Sequence, residues 1–354
     1  MKAWVLEKIG SIGLKDVEVP APKAGEVLIK VKAAGICGSD IPRIYETGTH
    51  RMPLIPGHEF SGIVCETGKG ISDSLKGKRV AVFPKIACGK CDRCKNGHPE
   101  LCKDYDYTGS RRDGAFAEYV AVPASNLIEI AENTGFEVAA MTEPMAVAAN
   151  AVRTGCFGMG ERIEKEKVIV VCGLGTIGLM TVMFLKEAGY DRIFVIGNRE
   201  EQREKAKALG IKEENFCNSK KEDPVKGLRK YMQEDATVYF ECVGSNESIN
   251  YGIGCTAPAG RLILVGNPYS DMQFSRDVYW KILRDQITVR GIWNSVFRGG
   301  ETAGETESED ALDDWHYVMK KLGEGKIAPG KLITHRLPIE RLGEGFLIMK
   351  NKTE

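Results

Sequence analysis

Apolar positions follow two different patterns along the chain. In the first third, short runs rich in β-branched and apolar residues occupy positions 3–6, 27–33, 61–67 and 79–83. Pro20, Pro22, Gly25, Pro53, Pro56 and Gly57 punctuate them. This predicts a loop-rich, all-β domain. Near residue 165 the pattern changes. Residues 168–172 form a compact apolar run, as a strand buried on both faces would. A helical stretch follows over 176–188, then a strand at 193–196 and a helix at 201–209. The alternation continues with a strand at 237–242, a helix after Asn246, a strand at 261–265, a helix around 277–285 and a strand at 287–292. Strands alternating with helices indicate a doubly wound parallel sheet. The last ~60 residues predict one helix, around 310–322, and a few short strands.

Composition narrows the reading. The 354 residues suggest about two domains, and 43% apolar with 28% charged residues is ordinary globular usage. Lys+Arg and Asp+Glu are both 49, so the chain has no overall basic footprint for nucleic acid or an anionic membrane. No apolar run reaches the ~18 residues of a membrane span. The longest, 138–152, is interrupted by Glu143, Pro144 and Asn150. The start, MKAWVLEKIG, lacks a signal-peptide core, so the expected compartment is the cytoplasm. Seven acids and no base lie between residues 301 and 314, which reads as a solvated loop leading into a helix.

Gly173-Leu174-Gly175-Thr176-Ile177-Gly178 is G-x-G-x-x-G between a predicted strand and a predicted helix, the context that makes it a dinucleotide-binding turn. The first glycine permits the turn, the second admits a pyrophosphate and the third allows close helix–strand packing. At the end of the next strand the chain reads Gly197-Asn198-Arg199, with glycine where an acid would hold the ribose of NAD. Gly197 leaves space and no repulsion, and Arg199 offers a fork of donors to a 2′-phosphate. These residues favour NADP(H) over NAD(H).

Of 11 cysteines, Cys88, Cys91, Cys94 and Cys102 form C-x2-C-x2-C-x7-C. In a reducing compartment this density suits a closed, structural zinc site. Iron–sulfur ligation or a redox role also suits four cysteines. Cys37, His58 and Glu143 could supply three ligands and leave a fourth position open, the mark of catalytic zinc. Taken singly, each also reads as a buried small residue, a core histidine and a helix-start acid, and spacing does not decide.

The ordered set CGSD at 37–40, GHE at 57–59, the four cysteines, EP at 143–144 and GLGTIG at 173–178 resembles the zinc-dependent medium-chain dehydrogenase/reductase superfamily. The resemblance runs over essentially the whole chain. It implies an α/β protein: a GroES-like, β-rich catalytic domain from residues 1–150 and 293–354, and a Rossmann domain from 151–292. It implies two zinc ions per chain. Catalytic zinc would lie on Cys37, His58 and Glu143, with Glu59 a nearby alternative ligand. Structural zinc would lie on Cys88, Cys91, Cys94 and Cys102. Within the superfamily the chain is similar to the polyol and threonine dehydrogenases. The segments CGSDIPRI from Cys37 with His50, and YDYTGSRRDG from Tyr105, resemble dehydrogenases of phosphorylated hexitols such as galactitol 1-phosphate. Gly197 departs from that pattern. Dehydrogenases of ribitol 5-phosphate and of unphosphorylated, sorbitol-like polyols are the alternatives. A non-enzymatic protein of this fold would have lost metal ligands, and none is lost here.

The implied reaction moves a hydride between a secondary alcohol of the polyol and NAD(P). Ser39 would hydrogen-bond the reacting oxygen, with His50 as the outer end of a proton relay and Glu59 as a proton acceptor. Arg43, Arg111 and Arg112 are candidates for the substrate phosphate. The last strand of the inserted domain should be a sheet edge paired across a two-fold axis, giving a homodimer or a homotetramer.

Overall fold

The computed structural model describes residues 1–159, 162–268, 270–299 and 308–351. It divides into two compact units, one made of Met1–Ala146 and Ser295–Glu354, the other of Val147–Asn294.

In the second unit six parallel strands lie in the order Phe216–Asn218, Ile193–Gly197, Ile169–Cys172, Ala236–Glu241, Thr256–Leu264, Thr288–Gly291. This is the doubly wound Rossmann order, and its reversal point falls beside Ile169–Cys172. Every residue of that strand is buried. Val170, Cys172, Phe194, Ile196, Tyr239 and Leu262 share one core cluster with Leu228 and Met232 from the helix Pro224–Met232. That helix and the strand Phe216–Asn218 escaped the sequence reading. The strand is only three residues long, and Gly227 and Pro224 dilute the helical signal.

The first unit is built on a five-stranded antiparallel sheet ordered Tyr119–Pro123, Glu26–Gly35, Glu59–Thr67, Arg79–Val82, Leu127–Glu129. Val27, Ile29, Phe60, Val64, Val80 and Val122 fill its core. A second cluster joins both ends of the chain: Ala3, Leu6, Ile44 and Phe116 pack with Phe346. Trp4 meets the Phe346 ring edge-on at 5.6 Å, and its indole N–H donates to the Ile339 carbonyl at 2.7 Å.

The tail differs from expectation. Among its described residues there is no strand, and there are two α-helices, Asp314–Gly323 and Leu342–Asn351, with short 3-10 turns at Pro329–Leu332 and Ile339–Arg341. Gly343 and Gly345 weaken helix propensity in the second, which forms by burying Phe346. The acidic stretch is also not a solvated face where it is described; residues 301–307 lie outside the described residues. Glu309 holds the buried Lys321 ammonium with both oxygens, at 2.9 and 2.8 Å. Asp313 caps the helix, accepting the His316 N–H at 2.9 Å and the Arg298 N–H at 2.8 Å. Asp314, also buried, accepts the Val296 N–H at 2.8 Å. These three acids anchor the segment because each finds a cation or a free N–H inside the unit.

Candidate active site

Strand pairing assembles the first donor group. Gly35 ends one strand directly opposite Glu59, which begins its neighbour. Cys37, two residues past Gly35, therefore meets His58, one residue before Glu59. A side chain at Gly35 would overlap the Glu59 carboxylate, so glycine there is what lets the carboxylate lie across the strand end. Gly57, at φ +99°, turns the chain against Phe116, where a Cβ would lie 2.6 Å from the ring.

One ligand atom from each of Cys37, His58 and Glu59 lies within 4.8 Å of the others. Glu143 stands outside this triplet, buried in the first turn of the helix Thr142–Val152. Its charge acts on Glu59, whose carboxyl is pushed up to about 8 by burial and then by Glu143. Burial likewise raises the Cys37 thiol and the Glu143 carboxyl. Burial opposes charge on His58, but Asp40 and Cys37 outweigh it and raise the imidazole well above its ordinary value. Two buried carboxylates, a buried imidazole and a half-buried thiol are held against their preferred ionisation. A divalent cation would resolve that conflict, and the donor set is one that zinc accepts.

Three residues that the sequence reading did not assign complete the setting. Asp40 is fully buried; its Oδ1 is 3.3 Å from His58 Nδ1 and its Oδ2 accepts the Cys37 N–H at 3.1 Å. This is the carboxylate behind a ligating imidazole, and it leaves Nε2 for a metal. Tyr107 is buried, sets its ring edge against His58 at 5.7 Å and donates to Glu143 Oε1 at 3.4 Å. Tyr105 is described below. The CGSD motif contains Asp40, but only the fold shows which way its side chain turns.

Ser39 donates to Cys37 Sγ at 3.2 Å and accepts from Arg43 Nη1 at 2.9 Å. Arg43 is also 3.6 Å from Asp40. His50 is exposed and makes no side-chain hydrogen bond to Ser39 among the described residues. Its imidazole is held below its ordinary value by partial burial, then by Arg111 and Arg43. Arg112 is taken up by the protein, donating to Glu26 at 2.5 Å and to the Ala121 carbonyl at 3.3 Å. Both bonds come from Nη2, and Nη1 lies 3.9 Å from Asp106, so internal carboxylates already face this candidate for the substrate phosphate.

The second donor group is local. Cys88, Cys91, Cys94 and Cys102 are all free, and their sulfurs lie within 4.8 Å of one another. Cys91 Sγ is 3.5 Å from Cys94 Sγ and 3.9 Å from Cys102 Sγ. Tetrahedral zinc with Zn–S of about 2.3 Å sets ligand sulfurs about 3.8 Å apart. A cage of this size takes one ion and not a cluster of irons and sulfides. Backbone N–H groups of Cys94 and Lys103 bring the Cys91 thiol down to about 6, toward the thiolate that a metal needs.

In the other unit, Gly173 at φ +92° turns the chain out of Ile169–Cys172, and Gly175 precedes the helix Thr176–Glu187 without a side-chain cap. A Cβ on Gly173 would lie 2.5 Å from Val243, and one on Gly178 would overlap the Gly173 carbonyl. Nothing lies within 4 Å of a Cβ at Gly175, which is the side a pyrophosphate approaches. Gly197 differs from expectation. A Cβ there would be 3.0 Å from Gln202 Oε1 and from the Phe216 ring, so the space is largely filled. Gln202 takes the place of the missing acid and accepts the Asn198 N–H at 2.8 Å. Arg199 precedes the helix Glu200–Ala208 and makes no ion pair among the described residues. Lys205, which the sequence reading passed over, has its ammonium disfavoured by burial and then by Arg199.

The comparisons with known proteins agree with this geometry. Residues 23–132 match the alcohol dehydrogenase GroES-like domain, and residues 176–305 match the zinc-binding dehydrogenase family. Galactitol 1-phosphate 5-dehydrogenase of Escherichia coli K12 is 30% identical over 97% of this chain and 95% of its own. This chain belongs to the zinc-dependent medium-chain dehydrogenases. It is an NAD(P)-dependent alcohol dehydrogenase. L-threonine 3-dehydrogenase of Bacillus licheniformis is 33% identical over 99% of this chain and 96% of its own. Among solved structures, galactitol-1-phosphate dehydrogenase from Escherichia coli superposes with a TM-score of 0.86 at 28% identity, covering all of this chain and 98% of that one. A zinc-binding dehydrogenase from Sinorhizobium meliloti 1021, bound to NADP, gives 0.86 at 26% identity over 99% and 95%. No helix among the described residues is long and apolar enough to cross a membrane.

Proposed function

We propose that this dehydrogenase oxidises a secondary alcohol of a polyol phosphate, of the galactitol 1-phosphate kind, to the ketose phosphate. The observation that carries this reading is the position of Arg43. One hydroxyl, Ser39, links its guanidinium to Cys37, so a permanent cation stands beside the buried donor group. A substrate whose hydroxyl reacts at that group and whose anionic end lies a few carbons away meets both. Similarity to galactitol 1-phosphate 5-dehydrogenase over 97% of the chain supports the same class.

Cys37 and His58, with Glu59 or Glu143, would hold one zinc, and Cys88, Cys91, Cys94 and Cys102 a second. When bound at the first group, zinc supplies Lewis-acid chemistry that makes an alcohol proton easier to lose near neutral pH. The residues do the rest. Asp40 fixes the His58 ring, and Arg43 orients the Ser39 hydroxyl. Ser39 and Glu59 would receive the alcohol proton, and His50, exposed to solvent, would be the outer end of its path. Bound NAD(P)⁺ would supply the hydride acceptor, so that alcohol and NAD(P)⁺ would become ketone, NAD(P)H and a proton.

NADP(H) is the preferred cofactor in this reading. Arg199 and Lys205 lie close enough to repel: burial and then Arg199 disfavour the Lys205 ammonium, and Glu201 offsets this only in part, beside a strand end that lacks an acid. The enzyme acts as a homodimer or as a homotetramer built from dimers. Thr288–Gly291 is hydrogen-bonded on one side only and exposed along its length, and the preceding helix leaves Tyr279, Trp280 and Leu283 open to solvent. Sheet edges of this kind are normally covered, here by a second copy.

The deciding experiment is a panel of galactitol 1-phosphate, ribitol 5-phosphate, galactitol and sorbitol, each with NAD and with NADP, read as kcat/KM. A phosphorylated hexitol with NADP should lead. Equal rates with and without phosphate would remove the polyol-phosphate reading and leave the sorbitol-like alternative.

A further inference from the structure

Arg111 and Arg112 are neighbours with opposite circumstances. Arg112 spends its donors on Glu26 and Ala121. Arg111 has no carboxylate partner among the described residues, and its Nε is buried without a hydrogen bond. What holds it is a ring: the guanidinium lies over Tyr105 at 4.4 Å. The other cation on that ring is Lys85, also at 4.4 Å. Lys85 is engaged elsewhere, and burial is the larger influence on its ammonium. It is buried, donates to the Glu100 carbonyl and lies beside Cys102 and Cys94 of the four-cysteine lobe. Arg111 is the cation on that ring whose donors are not spent on a protein acceptor among the described residues.

Its position relative to the reacting group follows from a ladder of rings. His58 meets Tyr107 at 5.7 Å, Tyr107 meets Tyr105 at 6.3 Å, and Tyr105 carries Arg111. The His50 N–H donates to the Ser110 carbonyl at 3.3 Å, which ties the loop after Arg43 to the residue before Arg111. Arg43 and Arg111 both act on the His50 imidazole. Two guanidinium groups thus share His50 as a neighbour, one of them linked through Ser39 to the donor group.

We propose that Tyr105 is a positioning residue whose ring, shared with Lys85, presents Arg111 as a second receptor, with Arg43, for the anionic end of the substrate. This rests on the polyol-phosphate reading above. A guanidinium held over a ring can keep its outer fork free for a phosphate, and lysine has no such planar fork.

The test reads the selectivity ratio, kcat/KM with galactitol 1-phosphate over kcat/KM with galactitol, for the zinc-loaded wild type and four variants. Arg111→Met should lower the ratio at least about tenfold, the scale of one charge-assisted contact. Tyr105→Leu should lower it about tenfold through KM for the phosphorylated substrate, and Tyr105→Phe should restore it. Arg111→Lys, which keeps the charge, should behave like Tyr105→Leu, and it carries the test if Tyr105→Leu does not fold. Calorimetric Kd for galactitol 1-phosphate should move in step. If Arg111→Met lowers the ratio while Tyr105→Leu or Arg111→Lys leaves it intact, the role of Tyr105 is overturned and the polyol-phosphate reading stands. A wild-type ratio near one, unchanged by Arg111→Met, overturns both.

Discussion

The two cysteine-containing donor groups are built in opposite ways. The four-cysteine group comes from a single segment of 15 residues, Cys88 to Cys102, with three of its residues partly exposed. The other draws Cys37 from one strand end and His58 with Glu59 from the next, and its carboxylates and imidazole are buried. The first needs only local chain reversal, which Gly89 at φ +68° and Gly97 at φ +80° provide. The second exists only when Gly35 stands opposite Glu59, because a slip of one residue would turn every side chain to the other face. A group that depends on the fold can carry strained chemistry. A group that is local can only hold a loop.

This contrast is most open to attack at Cys37. Cys37→Ala should remove one of two zinc ions and lower kcat/KM by at least about a thousandfold, as loss of several kcal/mol of charge stabilisation requires. Full activity in that variant, with metal counted by mass spectrometry, would show that the buried group is not where the reaction occurs. Arg199→Ala is expected to weaken NADP roughly ten- to a hundredfold and leave NAD nearly unchanged, by fluorescence titration of each cofactor. Because a Cβ at Gly197 meets Gln202 and Phe216, the converse change toward NAD is better sought with Gly197→Asp combined with Gln202→Ala than with Gly197→Asp alone. Asp40→Asn should cost about 10–100-fold in affinity for the first zinc and spare the second, read by competition with a chelator.

Cys94→Ala should do the reverse. One zinc is lost and thermal stability drops, because structural zinc binding is folding free energy, while kcat of the molecules that remain folded changes little. Equal loss of turnover in Cys94→Ala would mean that the lobe reaches into the chemistry. The smallest effect is one of pH. In metal-stripped protein Glu59 has a folded pKa raised from 4.5 to about 8. Its contribution is therefore intact below about pH 4.5 and is lost as pH rises toward 8, by at most about 1.4 kcal/mol per pH unit. Melting temperature of the stripped protein should fall over that window, and zinc should flatten the curve. A stripped protein that gains stability from pH 5 to 8 would contradict it.

Legibility followed the same division. The glycine turn at 173–178 and the four cysteines could be read directly, because their chemistry lies in spacing along the chain. Cys37 and His58 were legible only as parts of a family pattern. The sequence reading had no access to Asp40 or Tyr107, since what matters is that one turns behind His58 and the other beneath Glu143. Arg111 and Arg112 look interchangeable in sequence. Only the fold shows that Glu26 neutralises one and Tyr105 carries the other. At Gly197 the absence of an acid was visible, but not that Gln202 folds back into its place.

The junction of the two chain ends bears on how the molecule is made. Trp4 finds the Ile339 carbonyl 335 residues later, and Phe346 closes over Phe116 and Trp4. At about 5–20 residues per second, a ribosome needs roughly 20–70 s to deliver that partner. The Rossmann segment, whose strands pair within 147–294, is complete well before then. The first 146 residues emerge early and must wait, with the indole of Trp4 and the ring of Phe116 uncovered. A chain released before Phe346 would carry a finished dinucleotide unit and an unfinished neighbour with a sticky face. Such a product is a natural client for a holding chaperone until the helix Leu342–Asn351 arrives to cover that face.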